Sequence, residues 1–166
     1  MRSWRRLRRR SLARLAGFEV PTPFSIEALC AQVSAARGRD LHLHPLPYTG
    51  AADLPCGLWI CTVEADHVFH ARGASASHQQ NIVLHEIGHM LCDHSLADDD
   101  NGLTALLGDL DPAVVRRVLQ RTRYSTPEEQ EAEMVAALIR ERAGWGTAPP
   151  RPDGALGTLD DVFGDR

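Results

Sequence analysis

The stretch IVLHEIGHML, residues 82 to 91, constrains the fold of this chain more than any other. Its apolar residues predict a helix with one face in a hydrophobic core. Because a helix advances about 100° per residue, His85 and His89 lie about 40° apart on the same face. Two imidazoles at this spacing can bind one metal ion, and Glu86 beside them can accept a proton from a water that the ion activates. The stretch therefore predicts half of a metal site with its own general base.

The other histidines near this stretch do not supply a third ligand. On a continuing helix His94 would point about 180° away from His85, and His78 lies about 10 Å away along the axis. Both are predicted to lie on the surface or to support a ligand without touching the ion. The alternative is a core helix with incidental polar residues, but it leaves two histidines and a glutamate without partners on an apolar helix, at an energetic cost.

The third ligand is predicted on a later helix, within the stretch EEQEAEMVAALI. Glu129 and Glu133 are four residues apart and share a face with Ala132 and Ala136, whereas Glu131 points roughly the opposite way. Small alanines on that face allow another helix to approach closely. An acidic first turn, which the helix dipole favours, explains Glu129 but does not explain the alanines as well. The pattern predicts Glu129 as the third ligand and Glu133 as an outer partner that orients a histidine.

The rest of the chain predicts a small α+β domain. A helix that Ser25 caps and Gly38 ends is predicted first. The segment LHLHPL alternates with period two, which predicts a strand with His42 and His44 on the same face. These two histidines could bind a metal as a pair, but an exposed strand face is favoured because nothing nearby supplies a third ligand. Two further strands, around residues 58 to 64 and 67 to 72, predict a hairpin.

The two ends of the chain are predicted to lie outside this domain. Residues 1 to 20, MRSWRRLRRRSLARLAGFEV, are predicted to be a basic mobile tail. The alternative is a basic amphipathic helix that touches a membrane surface, nucleic acid or an acidic partner. Residues 144 to 166 are rich in proline, glycine and aspartate and are predicted to be a disordered tail. Residues 21 to 143 then form one domain.

Composition argues against several classes of function. The net charge is −4, so bulk electrostatics does not favour direct binding of nucleic acid. No segment reaches the roughly 18 consecutive apolar residues that a membrane helix needs. The N-terminus also lacks the apolar stretch of a secretory signal, so a cytoplasmic location without a membrane partner is expected. The four cysteines are expected to be buried free thiols.

The two motifs together resemble the ImmA/IrrE family of metallopeptidases. VLHEIGHML is followed, after a variable stretch, by EQEAEMVAALI, and the family's second motif runs approximately E-x-x-A-N-x-x-A-A-x-L. In this alignment Glu129 is the glutamate that binds zinc, and Glu133 stands where the family usually has Asn or Asp. The resemblance implies one Zn²⁺ ion bound by His85, His89 and Glu129, with Glu86 as the general base.

The resemblance also implies a zincin-like α+β fold, in which a small antiparallel sheet packs on the HExxH helix and a second helix carries the glutamate. Its function would be zinc-dependent hydrolysis of a peptide bond in a specific protein, a helix-turn-helix transcriptional repressor held by strand addition at the predicted hairpin. The alternative is a metal-stabilised regulatory binding protein, of toxin–antitoxin or anti-repressor type, that acts without proteolysis. The donor to the developing oxyanion is predicted to be Tyr124 or a histidine.

Overall fold

Four helices and a three-stranded sheet make up the part of the chain that the computed structural model describes, residues 2–46, 56–62, 64–94 and 124–145. In chain order the elements are α1 (Arg2–Arg14), α2 (Ile26–Arg37), β1 (Asp40–Pro45), β2 (Gly57–Cys61), β3 (Ala65–His70), α3 (Ala76–Cys92) and α4 (Thr126–Arg142). The predicted α+β class is confirmed. No helix in these ranges is long and apolar enough to span a membrane.

The sheet has the strand order β1-β3-β2 and is mixed. β2 and β3 pair antiparallel, as the predicted hairpin requires, but β1 runs parallel to β3. The prediction of an antiparallel sheet is therefore wrong for β1. Alternating apolar residues fix the face that a side chain takes, but they do not fix the direction in which a distant strand pairs. The central strand β3 is covered on both faces, since Val68 and Phe69 are both fully buried.

Local capping chemistry sets the ends of the helices around the core. Ser25 caps α2 and Gly38 ends it with a φ of 66°, as predicted. Ser125 and Glu128 form a capping box at the start of α4. α3 is capped by Ser75, whose side chain accepts a hydrogen bond from a backbone N–H of the first turn. These caps fix where the two helices that build the candidate site begin.

A buried carboxylate connects the sheet to α2 and α3. Asp66 on β3 is fully buried and accepts hydrogen bonds from Nε1 of Trp59 at 3.0 Å and from Nε of Arg37 at 2.7 Å. Arg37 also donates to the backbone oxygen of Met90, near the end of α3, at 3.1 Å. A buried charge is tolerated when it is paired and hydrogen-bonded. This cluster therefore holds the last turns of α3 against the sheet.

The basic N-terminal segment is part of the folded structure. Leu15, the residue that follows α1 in the sequence, is 1% exposed. Its backbone oxygen accepts a hydrogen bond from Arg142 of α4 at 3.2 Å. Arg8 and Arg10 pair with glutamates of α4. The prediction of a mobile tail over residues 1 to 20 is therefore wrong for residues 2 to 20, because the acidic partner of this basic helix lies in the same chain. The folded unit begins before residue 21.

The C-terminal prediction is tested only at its start. Gly144 and Trp145 are described, and the ring of Trp145 packs edge-on against Phe24 with the centroids 4.7 Å apart. Trp145 is therefore packed on the domain instead of lying in the predicted tail. Residues 146 to 166 lie outside the described residues.

Candidate metal centre

α3 places His85 and His89 on one face, with their Nε2 atoms 3.1 Å apart. The opposite side of the helix lies in the core, where Leu84 and Ile87 are fully buried. The side chain of His89 is fully buried, and that of His85 is 31% exposed. Both imidazoles line one cleft, and only that of His85 is partly exposed to solvent.

Glu129 on α4 places its carboxylate next to these two Nε2 atoms. Its Oε2 lies 3.0 Å from Nε2 of His85 and 3.7 Å from Nε2 of His89. α4 comes this close because Gly88 on α3 packs directly on the backbone of Ala132, which is fully buried. The predicted close approach of α4 through its small residues is confirmed.

The three predicted ligands are spaced as a tetrahedral metal site requires. Ligand atoms at about 2.0–2.1 Å from one tetrahedral ion lie about 3.3 Å from each other. Here the three separations are 3.0, 3.1 and 3.7 Å. The hydrogen bond with His85 and the close approach of His89 lower the pKa of Glu129 to about 2, so its carboxylate carries a negative charge. Two ring nitrogens and a carboxylate oxygen fit a single divalent transition metal ion.

Burial and charge act differently on the two histidines. Burial disfavours the charged form of His85, but the hydrogen bond to Glu129 and the charge of Glu86 outweigh it, so the pKa of His85 is raised. For His89 burial outweighs the interaction with Glu129, and the pKa is lowered. A neutral imidazole is the form that binds a metal, and His89 is therefore prepared for this role.

His89 is held from behind by His94 and not by Glu133. Nδ1 of His89 lies 3.0 Å from Nδ1 of His94, and Nε2 of His94 lies 3.3 Å from Oε2 of Glu131. Both His94 and Glu131 are buried. Glu133, the predicted outer partner, is exposed, and within the described part of the chain it makes no hydrogen bond to a histidine. That prediction is wrong because the side chain of Glu133 faces solvent.

The hydrogen bonds behind His89 are donated outward, from His89 to His94 and from His94 to Glu131. Glu131 accepts two hydrogen bonds from Arg10, as a carboxylate does, so His94 donates to Glu131 from Nε2. With one proton on this ring, Nδ1 of His94 is then an acceptor, and His89 donates to it from its own Nδ1. This leaves Nε2 of His89 with a lone pair directed toward the other two ligands. Metal binding requires that tautomer.

The end of α3 explains why His94 lies behind His89. α3 ends at Cys92, and Asp93 takes a left-handed conformation with a φ of 58°. The N–H of His94 then bonds to the backbone oxygen of His89 at 3.0 Å. The expectation that His94 points away assumed a continuing helix, and the chain turns back instead. Asp tolerates this conformation better than most residues, so Asp93 was the signal that the sequence offered.

A second cluster of metal-binding residue types lies directly behind the first. Cys92, His94 and Glu131 have potential ligand atoms within 4.8 Å of one another. However, burial raises the pKa of Cys92 to about 12, so Cys92 is a neutral thiol. The two hydrogen bonds from Arg10, at 2.8 and 2.6 Å, already balance the charge of Glu131, and both ring nitrogens of His94 have partners. These contacts favour a role as support for His89 over a second metal site.

Glu86 lies beside the ligands with a free oxygen. It is 4% exposed, and its Oε2 has no hydrogen-bond partner among the described residues. Burial raises the pKa of Glu86 to about 7, although the charge of His85 and a backbone hydrogen bond at Trp59 oppose the rise. A buried oxygen without a partner is costly. It is expected where a bound ligand completes the site.

These residues line an open cleft of about 370 Å³. Gly57 and Leu58, at the start of β2, line one side of the cleft, and His78 lines it farther along α3. Tyr124 stacks on His89 with the ring centroids 3.6 Å apart, and its buried hydroxyl has no partner in the described ranges. Burial raises the pKa of Tyr124 well above its usual value, so the hydroxyl keeps its proton. Tyr124 is therefore a hydrogen-bond donor beside the ligands.

The two histidines of β1, His42 and His44, belong to a separate cluster on the sheet. His67 of β3 joins them, with its Nδ1 3.0 Å from Nε2 of His44 and its ring centroid 5.3 Å from that of His42. The fold therefore brings a third histidine, His67, to this pair, which the sequence did not predict. The rings lie stacked, however, and their nitrogens do not converge as those of the two candidate metal groups do.

The outer residues that support His89 through His94 were not predictable from the sequence. Arg10 and Glu131 are separated by 121 positions, so no local pattern connects them. The expectation of buried free thiols is confirmed for Cys30 and Cys92, whereas Cys56 and Cys61 are free but exposed. Comparison with known proteins found no matching family model, no matching curated protein and no matching solved structure. The resemblance to the ImmA/IrrE family rests on the two motifs and stays a prediction.

Proposed function

We propose that this chain is a zinc-dependent endopeptidase that hydrolyses a peptide bond in a specific protein. The observation that carries the proposal is the convergence of His85, His89 and Glu129 on one point, with the unpartnered oxygen of Glu86 beside it. Catalytic zinc sites bind the metal through three protein ligands and keep one position open, whereas structural sites are closed by four. Three ligands that face an open cleft support the catalytic class.

Zinc is the ion that we propose for this site. Two imidazole nitrogens and one carboxylate oxygen form a donor set that recurs in zinc hydrolases. The neutral tautomer of His89 and the ionised carboxylate of Glu129 are the forms that bind such an ion. When bound, zinc supplies the Lewis acidity that polarises the scissile carbonyl and acidifies the attacking water.

Glu86 and Tyr124 have separate roles in the proposed reaction. Glu86, whose pKa burial raises to about 7, accepts a proton from the attacking water and returns it to the leaving amine. Tyr124 keeps its proton and has a hydroxyl without a partner, so it can donate to the oxyanion that develops on the carbonyl. His78 lines the cleft but is exposed, and Tyr124 is therefore the donor that we propose.

β2 is the strand that we propose to hold the substrate. It lies at an edge of the sheet, and Gly57 and Leu58 at its start line the cleft. No described strand pairs with its outer edge, so an extended peptide can add there through backbone hydrogen bonds. We propose a helix-turn-helix transcriptional repressor as the substrate, and the motif resemblance supports this choice.

The substitution Glu86→Gln tests the mechanism. Glutamine has the same shape but cannot accept the proton, so we expect cleavage to fall about 10²–10⁴-fold. Zinc affinity should be unchanged because Glu86 is not a ligand. Burial already favours the uncharged carboxyl, so a neutral glutamine is expected to be tolerated at this position. Candidate repressors encoded beside this chain are incubated with wild type and with Glu86→Gln, and fragments are compared by mass spectrometry.

Unchanged proteolysis in Glu86→Gln would contradict this mechanism. The alternative function is a metal-stabilised regulatory binding protein, of toxin–antitoxin or anti-repressor type. A partner that wild type and Glu86→Gln bind equally and release intact would favour that alternative. The buried, unpartnered oxygen of Glu86 argues against it, since a metal with a purely structural role has no use for a free carboxylate beside it.

A further inference from the structure

A continuous chain of polar contacts joins the N-terminal helix to the candidate metal centre. From the centre outward, Nδ1 of His89 contacts His94 at 3.0 Å, and His94 contacts Glu131 at 3.3 Å. Glu131 accepts hydrogen bonds from Nε and Nη2 of Arg10 at 2.8 and 2.6 Å. Arg14 adds a longer ion pair, at 3.9 Å, to the same carboxylate. α1 is thereby linked to a predicted metal ligand.

Burial makes each of these polar contacts important. The side chains of His89, His94 and Glu131 are 0%, 8% and 5% exposed. A buried carboxylate needs a cation and hydrogen-bond donors, and Arg10 supplies both in a two-pronged contact. Without Arg10 the described contacts of this carboxylate would be the long ion pair with Arg14 and the contact with His94, so the orientation of His94 would be less restrained.

We propose that Arg10, Glu131 and His94 are positioning residues that set how tightly the centre binds its metal. The inference rests on the metal site of the proposed function, but not on peptidase activity. A histidine ligand usually donates its other N–H to an outer group, and loss of that group weakens metal binding about 10–100-fold. Here the outer group is a histidine that needs an acceptor of its own, and an arginine from α1 fixes that acceptor.

Arg8 is a matched control for Arg10 in the same protein. Arg8, on the same helix, pairs with Glu141 of α4 at 3.4 Å, with both side chains partly exposed. Both arginines join α1 to α4, but Arg10 contacts a residue that leads to the centre and Arg8 does not. Arg8→Ala therefore removes the same charge and loosens the same pair of helices without touching the chain of contacts.

The test measures the zinc affinity of the full chain by competition with a chromophoric chelator. We expect Arg10→Ala to bind zinc at least about tenfold more weakly than wild type, and Arg8→Ala to stay within about twofold. Protein loaded with Co²⁺ adds a second readout, because its visible absorption reports the geometry of the ligands. That absorption should change in Arg10→Ala and not in Arg8→Ala. Thermal unfolding without metal measures how much stability each variant loses.

Two further variants test the order of the contacts. His94→Ala removes the direct partner of His89, so its zinc affinity should fall at least as far as that of Arg10→Ala, about 10–100-fold. Glu131→Gln keeps an oxygen that accepts from His94, whereas Glu131→Ala removes it. The glutamine variant should therefore retain more affinity than the alanine variant.

The outcomes separate this inference from the proposed function. Wild type that binds zinc, with equal affinity in Arg10→Ala and Arg8→Ala, would overturn the inference and leave the proposed function standing. A similar fall in both arginine variants would assign the effect to loosened packing of α1 and would also overturn it. Wild type that binds no zinc would overturn both proposals together.

Discussion

Gly88 on α3 lies against the backbone of Ala132 on α4, so closely that a Cβ at Gly88 would overlap the Ala132 carbonyl group. Both residues are buried. Gly88 directly precedes His89, and Ala132 follows Glu129 by one turn of helix. The separation between this glutamate and the two histidines is therefore set by how closely the helices cross at these small residues.

Gly88→Ala should weaken both the fold and the metal site. Alanine gains about 1 kcal/mol in helix propensity over glycine, but overpacking of a core costs about 1–3 kcal/mol. Because the methyl group would meet backbone, it is relieved only if α3 and α4 move apart. We expect a lower midpoint in urea for the metal-free protein and at least about tenfold weaker zinc binding. Higher stability with unchanged affinity would contradict this account of the crossing.

Gly57→Ala should reduce catalysis without affecting metal binding. A Cβ at Gly57 would lie 2.6 Å from Oε1 of Glu86 and 2.6 Å from Cγ2 of Ile82, so the carboxylate must move. Since Glu86 is proposed as the base and not as a ligand, we expect cleavage to fall about tenfold or more while zinc affinity stays the same. Parallel measurement of kcat and zinc affinity checks this. A loss of zinc affinity equal to the loss of rate would contradict it.

Tyr124→Phe separates the stacking of Tyr124 on His89 from its proposed role as a hydrogen-bond donor. Phenylalanine keeps the ring that stacks on His89 at 3.6 Å, but it has no hydroxyl to donate to an oxyanion. We expect kcat to fall about 10²–10³-fold, with KM and zinc affinity nearly unchanged, as for removal of one oxyanion donor. A kcat equal to that of wild type would assign the donor role to another group, with His78 the next to substitute.

The histidines of the sheet should make the fold sensitive to acid. Burial lowers the pKa of His44, and the charges of His42 and His70 lower it further. The unfolded chain therefore binds this proton more readily than the folded one. The stability that His44 contributes is complete above its unfolded pKa, about 6.5, and is lost as the pH falls toward its lower folded pKa.

The variant His44→Asn should therefore lose less stability than wild type between about pH 7.5 and pH 5. The measurement is the urea midpoint against pH, with a chelator present so that metal binding does not contribute. His78→Asn, which removes an exposed histidine from another element, is the control and should follow wild type. Parallel curves for all three proteins would show that the sheet cluster does not couple folding to pH.

Local rules in the sequence predicted the elements that carry the ligands. The spacing of His85 and His89 required a helix, and the small residues beside Glu129 indicated a close helix crossing, which the contact of Gly88 with Ala132 provides. Ser25 and Gly38 marked the ends of α2 for reasons of side-chain and backbone chemistry. In each case the information lies within a few residues of the feature predicted.

Features that depend on distant partners were not predictable in this way. α1 looked like a solvated tail because its arginines find their glutamates more than a hundred positions away. The parallel pairing of β1 with β3 was likewise not predictable, because the alternation of β1 determines which face each side chain takes and not the direction in which the strand pairs. The prediction for His94 left open a surface position or a supporting role, and the supporting role is the one observed because Asp93 ends α3 and turns the chain back.

The most direct test of the account is the zinc content of the purified protein, measured with Glu129→Ala and Glu133→Ala beside wild type. Glu129 and Glu133 lie one turn apart on α4, but Oε2 of Glu129 is 3.0 Å from His85, whereas Glu133 is exposed. We predict about one zinc per chain in wild type and Glu133→Ala, and a loss of affinity in Glu129→Ala beyond the about 10–100-fold that outer partners contribute. Full zinc occupancy in Glu129→Ala with wild-type affinity, or no zinc in wild type, would contradict the account.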